Sequence, residues 1–132
     1  MNNQRELLVQ RSVVIVVDDD PAVRNSLKFS LEIEGFSVYS FASADELLSL
    51  DDELPPCSCL VIDQRLPGIT GLDLIIALRA RHFVVPAILI TSHPSPALRE
   101  RAAETRVPIV EKPLLGNGLL DKIYDLVRDL GH

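Results

Sequence analysis

Five short apolar runs, each followed by a stretch of helical periodicity, constrain this chain more than any other feature. The first run is VVIVV at 13–17, and the second is the looser alternation of Phe36, Val38, Tyr39 and Phe41 over 36–41. Leu60, Val61 and Ile62 form the third, residues 87–90 (AILI) the fourth and 107–110 the fifth. Short continuous apolar runs bounded by turn residues read as strands buried on both faces. Between them the spacing changes. Asp20-Pro21 reads as an N-cap followed by proline at the first helical position, where a missing N–H costs nothing. Val23, Leu27 and Leu31 then recur at four-residue steps, and Gly35 supplies a C-cap. Ser43 caps a short second helix carrying Leu47, Leu48 and Leu50, and Leu54-Pro55-Pro56 breaks the chain before the third strand. A third helix over 71–81 is expected to bury Leu72, Ile75, Ile76 and either Leu78 or the stem of Arg79. The fourth, over 96–104, has a thin apolar stripe of Ala97, Leu98 and Ala102. Leu119, Ile123, Leu126, Val127 and Leu130 mark the last.

Strand and helix alternate five times, which calls for a mostly parallel sheet, because each right-handed crossover needs a helix to return the chain. Five units suit an α/β doubly wound sheet of order 2-1-3-4-5, whereas a closed barrel needs eight units and about twice the length. In that order the first and third strands are neighbours whose helices leave on opposite faces, so a crevice opens at their carboxyl ends. Length and composition agree with one domain: 132 residues, 47% hydrophobic and 24% charged. Residues 1–11 read as a loosely ordered lead-in without the apolar core of a secretory signal, and 12–132 as the domain. A net charge of −6 argues against nucleic acid or an anionic membrane as a partner of this chain. No apolar run reaches the length of a membrane span. Cys57 and Cys59 lie two apart in an extended segment and so point to opposite faces; we expect no bridge, Cys59 packing in the strand and Cys57 in the loop before it. Free thiols and no secretory signal together point to a reducing, cytoplasmic setting.

Three strands end in side chains that carry oxygen. VVIVV runs into Asp18-Asp19-Asp20, the third run into Asp63, and AILI into Thr91-Ser92; the fifth ends at Lys112 in Glu111-Lys112-Pro113. Alone, an Asp-Asp-Asp run is a solvated turn plus a helix cap, and Asp20 is read as only the cap. The topology nevertheless brings Asp18, Asp19 and Asp63 to one crevice. Two unit charges about 4 Å apart repel by roughly 4 kcal/mol at an effective dielectric near 20. A divalent cation relieves this, and an all-oxygen set favours a hard one, Mg²⁺. Thr91 and Lys112 face the same crevice and add a hydroxyl donor and a fixed cation. A phosphoryl group on Asp63 would require this combination of metal, carboxylate nucleophile, hydroxyl and lysine.

The stretches VVIVVDDDPAVRNSL, LVIDQRLPGITGLDL, ILITSHP and IVEKPL resemble, in order and spacing, the signature blocks of the receiver domain of two-component response regulators. The resemblance runs from about residue 13 to 130, and the nearest flavour is the receiver that precedes LuxR-type helix-turn-helix outputs, as in FixJ-like regulators. It implies a CheY-like fold with Asp63 as the phosphoacceptor for a sensor histidine kinase or phosphotransfer protein. It further implies Asp19 as a direct Mg²⁺ ligand, Asp18 acting largely through water, and the backbone carbonyl of Arg65 as another ligand. Thr91 and Lys112 would read the phosphoryl group, the Lys112-Pro113 peptide would be cis, and Arg65 and His93 would hold the two flanking positions that tune phosphoryl lifetime.

Two departures bear on output. The family commonly carries Tyr or Phe three residues before the lysine, where this chain has Ile109, so an aromatic rotamer switch cannot operate. The stretch 103–107 also lacks the glycine that often precedes the fifth strand. Phosphorylation is expected to move the segment after Thr91 and shift the face made by the fourth helix, fifth strand and fifth helix. Leu98, Arg106 and Ile109 there would meet a downstream protein, an output domain or a second copy of the chain. No helix-turn-helix stretch follows the last helix, which leaves a single-domain regulator or a receiver from a longer protein. Two rival readings fit the residues less well. A phosphatase or dehalogenase with an aspartyl intermediate usually needs a second acid two residues past the nucleophile, where Arg65 stands. A binding module that had lost the chemistry should lack at least one of the acids, the threonine or the lysine. We therefore expect a switch that catalyses only its own phosphorylation and dephosphorylation.

Overall fold

A computed structural model describes residues 12–50, 53, 54 and 56–130, with the backbone alone at 129 and 130. The expected lead-in at 1–11, Pro55 and the side chain of Leu130 lie outside the described residues. Strands β1 (Val13–Val17), β2 (Ser37–Phe41), β3 (Cys59–Asp63), β4 (Ala87–Thr91) and β5 (Ile109–Glu111) alternate with five helices. The helices are α1 (Pro21–Ile33), α2 (Ala44–Leu48), α3 (Gly71–Ala80), α4 (Pro96–Glu104) and α5 (Gly118–Leu130). All strands are parallel, in the order β2-β1-β3-β4-β5.

The two-residue alternation of side chains splits the sheet between two cores. Ile15, Val17, Leu60, Ile62, Ala87 and Leu89 face α2, α3 and α4, where they meet Leu47, Leu72, Ile75, Leu78 and Ala102. Val14, Val16, Cys59, Val61, Ile88 and Ile90 face α1 and α5, against Leu27, Leu31, Ile123 and Val127. The continuous apolar runs are thus two interleaved faces, each covered by helices. No helix among the described residues is long and apolar enough to cross a membrane.

Several boundaries and burial assignments differ from those expected from the sequence. β2 begins at Ser37 instead of Phe36, and α2 stops before Leu50, whereas Thr91 ends β4 as expected, pairing with Glu111. On α3 it is Leu74 that is fully buried, whereas Ile76 is 38% exposed, because Leu72, Ile75 and Leu78 set the inward line and Ile76 falls outside it. β5 begins at Ile109 and ends at Glu111 instead of spanning 107–110. Pro108 has no N–H for a ladder, and the Val107 N–H turns back to the Ala102 carbonyl.

That last bond closes a motif repeated three times. Val107 N–H donates to Ala102 and Arg106 N–H to Ala103, Phe83 to Leu78 and His82 to Arg79, Phe36 to Leu31 and Gly35 to Glu32. Each pair is a Schellman closure, with the intervening residue in the left-handed region. Gly35 takes φ 103 freely, but His82 (φ 66) and Arg106 (φ 58) do so with a side chain. Thr105 and Arg106 therefore do the work of the glycine that is missing before β5.

Candidate functional site

The register of the sheet delivers the site. Val17 pairs with Ile62, so Asp18 and Asp63 leave adjacent strands at the same level, and Asp63 pairs in turn with Ile90, one residue before Thr91. Thr91 pairs with Glu111, and the Lys112 N–H donates to the Thr91 carbonyl at 2.9 Å. Asp18, Asp19 and Asp63 each offer a carboxylate oxygen, the three lying within 4.8 Å of one another. Lys112 Nζ lies 3.1 Å from Asp63 Oδ1 and 3.8 Å from Asp18 Oδ2. The side chains of Asp18, Asp19, Asp63 and Lys112 thus converge, Thr91 ends the strand beside Asp63, and Arg65 and His93, two residues beyond Asp63 and Thr91, are exposed. The Lys112–Pro113 peptide is cis, as the resemblance implied.

The acids are not equivalent. Asp18, Asp63 and Thr91 are buried, while Asp19 and Asp20 are exposed. Asp20 does cap α1, its Oδ1 accepting from the Ala22 N–H at 2.9 Å. Asp18 Oδ1 accepts from the Asp20 N–H at 2.9 Å, but Asp18 Oδ2 is buried with no hydrogen-bond partner. Lys112, at 3.8 Å, is too far to supply one. Burial pushes the Asp18 carboxyl above its ordinary range, the Asp63 and Asp19 charges adding to the effect and the Asp20 N–H and Lys112 opposing it. A buried, unpartnered carboxylate oxygen beside two further carboxylates fits a hard cation, because oxygen donors without thiolate or imidazole suit Mg²⁺ best. The Thr91 hydroxyl donates to the Ser92 carbonyl at 3.4 Å, a weak bond that a better acceptor displaces.

Three residues that hold this pocket together escaped the sequence reading. Arg24, at the start of α1, donates from Nη1 to the Asp18 carbonyl at 2.8 Å and so ties the β1–α1 loop to α1. Gln64 accepts twice from the start of α3. Gly71 begins α3 so close to β3 that an added Cβ would lie 2.4 Å from the Asp63 carbonyl oxygen. Gly71 alone left a readable signal, a glycine at a helix start where no turn requires one. The thiols behave as expected: both cysteines are unbridged, Cys59 is buried in β3, and burial pushes the Cys57 thiol up to about 12.

A sequence model of the response regulator receiver domain matches residues 14–124. The chain belongs to that family. Receivers are phosphoacceptor switches that work with histidine kinases and output domains, and this one is a FixJ-like receiver of a two-component response regulator. It is 35% identical over 118 residues to the transcriptional regulatory protein FixJ of Bradyrhizobium diazoefficiens, covering 87% of this chain and 56% of the relative. It is 36% identical over 115 residues to Nodulation protein W of the same organism, covering 86% and 50%. The receiver therefore spans about half the length of the curated relatives it matches. Among solved structures, full-length FixJ from B. japonicum superposes with a TM-score of 0.81 at 30% identity, covering 91% of this chain and 59% of that one. The N-terminal part of FixJ gives 0.77 at 28% identity, covering 91% and 95%.

Proposed function

We propose that Asp63 is the phosphoacceptor of this receiver, with residues 12–132 forming the domain. The observation that carries this is the 3.1 Å contact of Lys112 Nζ with Asp63 Oδ1 beside the clustered carboxylates of Asp18 and Asp19. Asp18, Asp19, Asp63 and the Arg65 backbone carbonyl are the residues that would hold Mg²⁺, which supplies charge neutralisation for the incoming phosphoryl oxygens.

The chain's own groups divide the remaining tasks. Lys112 holds the Asp63 carboxylate in place before transfer and afterwards neutralises one phosphoryl oxygen. The Thr91 hydroxyl exchanges its weak bond to Ser92 for a phosphoryl oxygen. In the transfer an Asp63 carboxylate oxygen forms the new P–O bond, the P–N bond to the donor's imidazole breaks, and the bonding pair leaves with the imidazole nitrogen. The donor is a sensor histidine kinase or phosphotransfer protein. A cleft of about 670 Å³ lies between α1 and residues 112–120, with Lys112 in its wall. No external substrate is turned over, so self-phosphorylation and dephosphorylation are the whole chemistry.

Movement of Thr91 draws the segment after it and shifts the α4-β5-α5 face, which meets an output domain, a downstream protein or a second copy. The FixJ relative is a transcriptional regulatory protein, which favours an output acting on transcription, and we place the chain in the cytoplasm. Incubation with Mg²⁺ and acetyl phosphate tests the reading by intact mass. One added phosphoryl group that requires Mg²⁺ and disappears in Asp63→Ala supports it. Sustained turnover of phosphate esters would favour the aspartyl phosphatase instead, and an added group that survives in Asp63→Ala would sink the assignment.

A further inference from the structure

The first turn of a helix exposes N–H groups that find no partner within the helix. At α3 the first three are all satisfied. Gly71 N–H donates to the Gln64 carbonyl at 3.0 Å, Leu72 N–H to Gln64 Oε1 at 3.0 Å, and Asp73 N–H to Thr70 Oγ1 at 3.2 Å. Two of these three acceptors belong to one residue, the immediate neighbour of Asp63. The backbone of Gln64 is held on its other side as well, its N–H donating to the Ile90 carbonyl at 2.9 Å. Residue 64 is therefore tied to β4 and to α3 at once, and it closes the neck of the loop 65–70. That loop carries the Arg65 carbonyl, while the Asp63 carboxylate stands just before the neck. The absence of a side chain at Gly71 lets helix and strand come this close.

We propose that Gln64 is a positioning residue for the acidic pocket: its side-chain amide oxygen, by capping α3, holds the Asp63 carboxylate and the Arg65 carbonyl toward one centre. This rests on the reading of Asp63 as a Mg²⁺-dependent phosphoacceptor. It differs from ordinary helix capping, because Thr70 caps the same helix from the far end of the loop without gripping its neck. Groups that orient the ligands of a metal site alter its affinity without touching the metal.

The test compares two variants that each remove one cap. Gln64→Leu loses the acceptor at nearly the same volume, and Thr70→Ala loses the other; thermal melting should show comparable losses for both. Titration of the unphosphorylated protein with Mg²⁺, followed by calorimetry, should then separate them, with affinity about tenfold weaker in Gln64→Leu and within about twofold of the parent in Thr70→Ala. Amide exchange gives a second readout that needs no metal: residues 65–70 should exchange faster in Gln64→Leu than in Thr70→Ala. Gln64→Glu keeps an acceptor oxygen and should return exchange there to the parent rate. Equal Mg²⁺ affinities in the two cap variants, or exchange in Gln64→Glu as fast as in Gln64→Leu, would overturn the proposal. If the parent protein binds no Mg²⁺, the phosphoacceptor reading fails, and the exchange comparison still decides whether Gln64 holds the loop.

Discussion

Helices α3 and α4 follow adjacent strands and pack on the same face of the sheet, yet they are anchored by different forces. α3 buries Gly71, Leu72, Leu74, Ile75 and Leu78 and is bolted to β3 through Gln64. α4 buries Ala102 alone, with Leu98 half-buried, and its first turn is capped by Ser95 from its own N-terminus. Among the described residues, no side chain of the β4–α4 loop before Ser95 reaches that turn. What α4 has instead is polar: Arg101 pairs with Asp73 of α3, Arg99 with Glu111 of β5, and Arg79 of α3 donates to the Thr105 carbonyl at α4's end. Exposed ion pairs of this kind contribute about 0.2–1 kcal/mol each, against about 1.5–3 kcal/mol for each fully buried large aliphatic side chain. Asp63, the proposed phosphoacceptor, thus stands next to the firm helix, while Thr91 leads into the loosely held one. A site built this way keeps Asp63 fixed and lets the neighbourhood of Thr91 move.

The largest effect that could break the comparison comes from truncating the two apolar faces. Ile75→Ala should lower unfolding free energy by about 3 kcal/mol, and Leu98→Ala by no more than about 1 kcal/mol, as read from urea melts. Equal losses would mean that α4 is anchored as firmly as α3. Gly71→Ala should come next, at about 2–3 kcal/mol, since a methyl group 2.4 Å from the Asp63 carbonyl forces strand and helix apart. The same denaturant curves measure it, and a neutral result would show the helix start free to shift.

Most of the architecture was legible because the sheet's demands are written locally. VVIVV has to be a central strand, Asp20-Pro21 has to start a helix, and 96–104 matches α4 at both ends because serine and proline open it. The acids were legible as a group because strand order alone brings them together. What escaped depends on tertiary geometry. Pro108 shifted β5 by removing a donor, and Val107 looked like a strand residue but closes α4's Schellman turn against Ala102. Ile76 and Leu74 exchanged roles because a helix packed under a sheet buries more than one stripe. The side chains of Gln64 and Arg24 each act through one hydrogen bond to the backbone that no spacing announces.

Smaller effects sharpen the contrast further. Arg106→Gly removes the left-handed penalty at α4's end and should raise stability by about 0.5–1 kcal/mol, seen as a higher melting temperature. A lower melting temperature would mean that the Arg106 side chain makes a contribution larger than its backbone strain. The smallest effect concerns the tie between the helices. Its hydrogen bond with Arg101, helped by Thr70, holds the Asp73 carboxyl below its ordinary range. A carboxylate whose folded-state value is depressed stabilises the fold above its unfolded value of 3.8 and loses that contribution as pH falls through the lower folded value. Because the pair is about half exposed, solvent screening limits Arg101→Ala to about 0.5 kcal/mol near neutral pH, shrinking in high salt and in strong acid. A loss that ignores salt would show that Arg101 acts by packing.

The most direct test of the whole account is residue-resolved amide exchange with and without beryllofluoride and Mg²⁺, which mimic the phosphoryl group on Asp63. Altered protection is expected from Thr91 through α4 and β5, with α3 unchanged. Equal changes in α3 and α4, or none in either, would contradict it.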